Sequence, residues 1–125
     1  MGLFGRSKKE SADKVNWVKL QSSDELDRLI QTDSHQLPVV LFKHSTRCSI
    51  SAMALRRMGE GWDVAAEIAI PVFLDLIRYR DLSNQIADDL GVRHESPQVL
   101  LVKDGKCIYH ASHSQIDPEE IKEYL

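Results

Sequence analysis

The sequence predicts an α/β domain in which βαβ units are followed by a β-hairpin and a closing helix. Three observations carry this. Pro38-Val39-Val40-Leu41-Phe42 is a continuous apolar run without alternation, as in a strand covered on both faces. Amphipathic segments with apolar residues three or four apart alternate with such runs, which points to parallel strands joined by helices. Asp104-Gly105 lies between two strand-like runs, a strong signal for a two-residue hairpin turn.

In chain order, Val15 to Leu20 alternates loosely around Trp17 and Val18 and suits a short first strand at a sheet edge. Ser22-Ser23-Asp24-Glu25 offers a hydroxyl cap with a glutamate three residues on, and Leu26, Leu29 and Ile30 follow at helical spacing. Pro38–Phe42 is the central strand. Past Cys48, Ile50, Ala54 and Met58 fall on one helical face, Arg56, Arg57 and Glu60 suit its wet side, and Gly59 and Gly61 can end it. Ile70 to Ile77 is the next strand, opened by Pro71. Asp81 to Leu90 carries Leu82, Ile86 and Leu90 at spacing four and stops at Gly91. Gln98 to Val102 and Lys106 to Ala111 form the hairpin, and Asp117-Pro118-Glu119-Glu120 is a cap with a first-turn proline ahead of the last helix. The order strand, helix, strand, helix, strand, helix, strand, strand, helix is that of a thioredoxin fold with a mixed sheet.

A chain of 125 residues is one domain by length, and the division expected is a flexible, mildly basic tail over 1–14 followed by the domain over 15–125. With 16 Lys and Arg against 19 Asp and Glu, nothing suggests nucleic acid as a partner. Two cysteines are too few for a disulfide scaffold and fit a reducing compartment. No run approaches the ~20 apolar residues of a membrane span, so a cytoplasmic protein is expected. Gly2 could suggest lipidation, but Arg6 stands where that pattern wants Ser or Thr.

The chemistry centres on Phe42-Lys43-His44-Ser45-Thr46-Arg47-Cys48-Ser49-Ile50-Ser51, a strand, a short loop and a helix with Cys48 at the junction. The first helical turn leaves N–H groups unpaired and carries about half a positive charge, which favours a thiolate over a thiol. Such a cysteine is a nucleophile at neutral pH. Where a dithiol enzyme would carry its resolving cysteine, the chain has Ser51. The pattern reads as a one-cysteine, C-x-x-S redox site. Set against it is the plain reading of a small buried cysteine starting an ordinary helix.

Lys43-His44-Ser45-Thr46-Arg47-Cys48-Ser49-Ile50-Ser51, Gly91-Val92-Arg93-His94-Glu95-Ser96-Pro97-Gln98 and Ser112-His113-Ser114-Gln115-Ile116 resemble three separated motifs of the YtxJ-like monothiol bacilliredoxins. Ser49 departs from that family, which usually has proline there. The resemblance, which covers about Val15 to the C-terminus, implies a cytoplasmic thiol-disulfide oxidoreductase that removes bacillithiol from mixed disulfides on client proteins through Cys48. Bacillithiol would then be the co-substrate, with no bound cofactor and no resident metal, and S-thiolated proteins would be the partners. Pro97 would be the cis-proline facing the active cysteine.

In this fold the ends of the second strand and of the hairpin's return strand share one edge. That gathers His44, Arg93, His94, Ser96, His110, Ser112, His113 and Ser114 around Cys48. The expected supporting residues are His44, Thr46, Arg47, Ser49, Ser51, Ser96, Pro97 and His113. A histidinium among them would stabilise the thiolate. Lys43, Arg47, Arg93, His94 and Ser96 are candidates to bind the small thiol, since bacillithiol's malate carries two carboxylates for cations to meet. Glu95 is expected to pair with Arg93. Two rival readings stand: a binding module holding an iron-sulfur cluster or metal through Cys48, as monothiol glutaredoxins with C-x-x-S do, and an adaptor without chemistry. Cys107, near the hairpin turn, is expected to be structural rather than resolving.

Overall fold

The computed structural model describes residues 15–125, and the expected tail over 1–14 lies outside them. The strands are β1 (Val18–Lys19), β2 (Val39–His44), β3 (Ile70–Asp75), β4 (Gln98–Lys103) and β5 (Lys106–Ser112), and they stand in the order β1-β3-β2-β4-β5. The helices are α1 (Ser23–Gln31), α2 (Ser49–Gly61), α3 (Arg80–Leu90) and α4 (Pro118–Lys122). β1 and β2 both run parallel to β3, while β4 runs antiparallel to β2 and β5 to β4. The mixed sheet, with βαβ units and a terminal hairpin, is the expected thioredoxin-type arrangement.

β2 occupies the centre because all six of its residues are buried. Its odd-numbered side chains pack with Leu26, Ile30, Ile86 and Leu100 on the α1 and α3 side, and Val40 and Phe42 pack with Ala54, Met58 and Ile121 on the α2 and α4 side. A polar residue at either of the last two β2 positions therefore goes to a definite face. Lys43 lies on the α3 face and His44 on the α2 face.

β1 is shorter than the predicted Val15–Leu20. The Trp17 N–H bonds the Val15 carbonyl at 2.9 Å, and this tight turn lifts Val15 and Asn16 off the ladder. Helix α1 starts as its motif demands: the Ser22 hydroxyl accepts the Glu25 N–H at 3.2 Å, and the Glu25 carboxylate accepts the Gln21 N–H at 3.2 Å. Gly91 ends α3 in the left-handed region at φ 67°, and Asp104 and Gly105, at φ 53° and 79°, make the hairpin turn. Asp117 accepts the Glu119 N–H at 2.9 Å to cap α4.

Helix α2 differs from expectation in two respects. Ala54 and Met58 face the core, but Ile50 is 50% exposed, because steps of four drift around the helix and Ser51, seven residues before Met58, takes the core face in the first turn. Gly61 is the last residue of α2 and its role is close packing: a Cβ there would collide with the Pro118 ring. Finally, the Ser96–Pro97 peptide is cis and leads directly into β4.

Candidate active site

The ends of β2, β3 and β5 and the start of β4 meet at one edge. His44 pairs with Asp75, Lys43 with Gln98, and Gln98 with Ser112. Beyond His44 the chain makes a turn, with the Cys48 N–H on the Ser45 carbonyl at 3.2 Å, and enters α2 with Cys48 as the extended N-cap residue. The first helical bond runs from the Ala52 N–H to the Cys48 carbonyl at 3.1 Å, so the N–H groups of Ser49, Ile50 and Ser51 have no partner within the helix. Cys48 is half-buried, while Thr46, Arg47 and Ser49 beside it are exposed. The thiol therefore sits at the head of a helix and within reach of solvent, as the sequence predicts for its backbone position.

Ser51 is fully buried, and its hydroxyl joins the loop to the strand. It accepts the Ser45 N–H at 3.0 Å and lies 2.7 Å from His44 Nδ1. The oxygen that accepts from Ser45 also shares a hydrogen bond with Nδ1, so Ser51 ties the His44 ring to the loop. Burial also pushes the His44 imidazole down, against the opposing pull of Asp75. His44 therefore does not supply the expected positive charge near the sulfur. It fixes the turn that carries Cys48.

This gives the first test. Ser51→Ala leaves a buried N–H and a buried ring nitrogen unpaired, which costs about 1–3 kcal/mol of stability. Exchange by the folded fraction will survive, since a serine cannot resolve a disulfide. Chemical denaturation and a single-turnover assay on the same sample check both parts, and complete loss of exchange in folded protein would give the hydroxyl a role in the reaction.

On the other face, Lys43 is fully buried. Its ammonium lies 3.4 Å from the Ser83 carbonyl and 3.3 Å from His94 Nδ1, with Ser83 Oγ a further 3.2 Å neighbour of that nitrogen. No carboxylate of the described residues pairs with it. Burial without a counter-charge lowers the Lys43 amine to about 8. His94 is also pushed down, by burial first and then by Lys43 and Arg80, with Glu95 opposing. Lys43 is thus no open contact for a small thiol, as had been expected, because His94 and Ser83 enclose its head group.

Glu95 accepts a 2.6 Å bond from the Ser112 hydroxyl and forms no close ion pair with Arg93. That hydroxyl, followed by His113, Arg93 and His110, holds its carboxyl below the usual range. The histidines of the rim thus fall into separate groups: His44 with Ser51, His94 with Lys43, and His110 and His113 around Glu95. His113 has φ 55°, its N–H bonds the Pro97 carbonyl at 3.0 Å, and its carbonyl takes Arg57 Nη2 at 2.9 Å. Arg57 Nε also bonds the Ile116 carbonyl at 3.1 Å. Predicted as a solvated residue of α2, Arg57 instead clips the turn after β5 to α2.

Sequence reasoning missed Arg57, Ser83, Asp75 and Gln98. Ser83 had a signal, since it falls three residues before Ile86 on the core face of α3. The other three follow only from the register of β2 against β3 and β4 and from the turn after β5. Ser96 Oγ, just before Pro97, is buried without a hydrogen-bond partner among the described residues, as is Gln98 Oε1. No group of three or more His, Cys, Asp or Glu side chains in the described residues is gathered to hold a metal ion. No helix of the described residues is long and apolar enough to cross a membrane.

The family model described as "Monothiol bacilliredoxin BrxC" matches residues 18–121. Among solved structures, one described as a candidate oxidoreductase with a thioredoxin fold is 28% identical, with a TM-score of 0.72 over 85% of this chain and 90% of the other. Oxidised mitochondrial thioredoxin 3 from Saccharomyces cerevisiae is 18% identical, with a TM-score of 0.66 over 92% of this chain and 96% of the other. At that identity the second likeness bears on the fold.

Proposed function

Since the chain belongs to the monothiol bacilliredoxin family and is a thiol oxidoreductase by family and fold, we propose that it removes bacillithiol, or a similar low-molecular-weight thiol, from mixed disulfides on client proteins. The observation that carries this reading is Cys48 at the head of α2 with Ser51 locked three residues on. The site has one sulfur, and it is placed where free N–H groups favour negative charge.

Cys48 as thiolate attacks the bacillithiol sulfur of the mixed disulfide. The old S–S bond breaks, the client sulfur leaves with the electron pair, and Cys48 retains the small thiol. An external thiol then attacks that new disulfide and restores Cys48. The backbone on either side of Pro97 holds the incoming chain in extended pairing. Arg47 and Arg93, both exposed, meet the carboxylates of the small thiol. The reaction calls for no bound cofactor; bacillithiol is a co-substrate, and a cytoplasmic setting suits a thiol kept reduced.

The test offers one client protein as its bacillithiol and as its glutathione mixed disulfide, and measures client release by mass spectrometry. Faster release from the bacillithiol form is expected. Equal rates would remove the small-thiol preference, and no release from either form would remove the exchange reading.

A further inference from the structure

Lys43 and Ser83, both buried, and His94 at the surface above them form a polar group that the exchange reaction as described leaves idle. They stand at the same sheet edge as Cys48: Lys43 is next to His44 on β2 and pairs with Gln98, which follows Pro97. His94 belongs to the exposed stretch between α3 and Pro97, so it shares the rim with the cysteine while its ring reaches back to the ammonium.

From this arrangement we infer that His94, fed by Lys43, is the acid that protonates the thiolate leaving the client disulfide. An ammonium has only donors, so His94 Nδ1 must accept from it, and the imidazole proton resides on Nε2. Nε2 is the ring nitrogen that no described residue engages. One side of the ring therefore faces a stored proton and the other holds a transferable one.

The balance is complete within the proposed reaction. Cys48 forms a new S–S bond to the small-thiol sulfur, the client S–S bond breaks, and its electron pair goes to the client sulfur. That sulfur takes the proton of His94 Nε2 as His94 Nδ1 takes one from Lys43. Lys43 is left as a neutral amine until His94 Nε2 takes a proton from water and Nδ1 returns its own to the amine. An amine held at about 8 stores a proton at neutral pH and gives it up readily. Burial first, then Lys43 and Arg80, push the His94 imidazole down, and Glu95 opposes them. Lys43 acts only through His94 and is a positioning and proton-supplying residue.

The relay rests on the exchange chemistry of Cys48, and the test separates the two. The full chain and its Lys43→Met and His94→Gln variants react with two uncharged disulfides. Bis(2-hydroxyethyl) disulfide releases an alkyl thiolate that needs a proton; bis(4-nitrophenyl) disulfide releases an aryl anion that does not. Both variants will lower the ratio of the alkyl rate to the aryl rate by about 10²-fold, the low end for a general acid. An unchanged ratio in both variants, whether the rates stay the same or fall together, would overturn the relay. Failure of the unaltered chain to react with either disulfide would overturn the exchange reading and the relay with it. A merely structural role for Lys43 or His94 slows both substrates and cannot move the ratio.

Discussion

Replacing Cys48 by serine will abolish release of the small thiol from client disulfides, while Cys107→Ser will leave it at the level of the unaltered chain. The two thiols differ in where the fold places them. Cys48 heads a helix at the sheet edge, half-exposed and beside an open loop. Cys107 pairs with Val102 near the hairpin turn, at the opposite end of β5 from Ser112. Five residues of strand at ~3.3 Å each put about 16 Å between Cys107 and that edge, whereas a disulfide tolerates at most about 6.8 Å between α-carbons. Its thiol also donates to the Tyr109 carbonyl at 3.3 Å, and burial pushes it up, away from the reactive anion. Turnover therefore depends on an external thiol. A mixed-disulfide release assay on the two variants checks this, and loss of activity in folded Cys107→Ser protein would mean that Cys107 takes part in resolution.

The second large effect is on stability. Lys43→Met will be more stable than the unaltered chain by about 2 kcal/mol at neutral pH, and the difference will shrink and then reverse as pH rises from 8 through 10.5. The folded chain holds the Lys43 amine at about 8, whereas the unfolded chain returns it to 10.5. Between those values the unfolded state binds the extra proton, so stability rises with pH, and below 8 the folded state bears the full cost of a buried charge. At 1.36 kcal/mol per unit that cost is about 3 kcal/mol, offset by about 1 kcal/mol for the bonds to Ser83 and His94 that methionine cannot make. Tyr109, raised to about 12, and Cys107, also raised, have the opposite sign above pH 9 and cancel in the comparison of the two chains. Denaturation at pH 7, 8, 9 and 10 measures the difference; a constant gap would show that Lys43 pays no burial cost.

The fold was legible because its strongest signals are local. Ser22 with Glu25, Asp104-Gly105, Asp117-Pro118 and the unbroken β2 run each dictate their own backbone, and in the structure each does so. Cys48 at the head of α2 was readable for the same reason. What failed depended on distant pairing. Ile50 is spaced by four from Ala54 as Ala54 is from Met58, yet that spacing drifts around the helix, and the core face of the first turn belongs to the polar Ser51. His44 and Lys43 are adjacent in sequence, but strand alternation sends them to opposite faces. One becomes a strut under the loop and the other a buried ammonium, where His44 had been expected to support the sulfur and Lys43 to bind the small thiol. Glu95 lies two residues from Arg93, but the β4–β5 register brings the Ser112 hydroxyl closer.

The central claim is that one sulfur, Cys48, carries the small thiol between client and acceptor. It is tested most directly by intact-mass analysis with peptide mapping after a single turnover against a bacillithiol mixed disulfide, with no external thiol present. The expected product is a chain heavier by one bacillithiol on Cys48, with an equal amount of free client and no loss of the adduct until a thiol is added. A Cys48–Cys107 disulfide, or freed client with no adduct on Cys48, would contradict it.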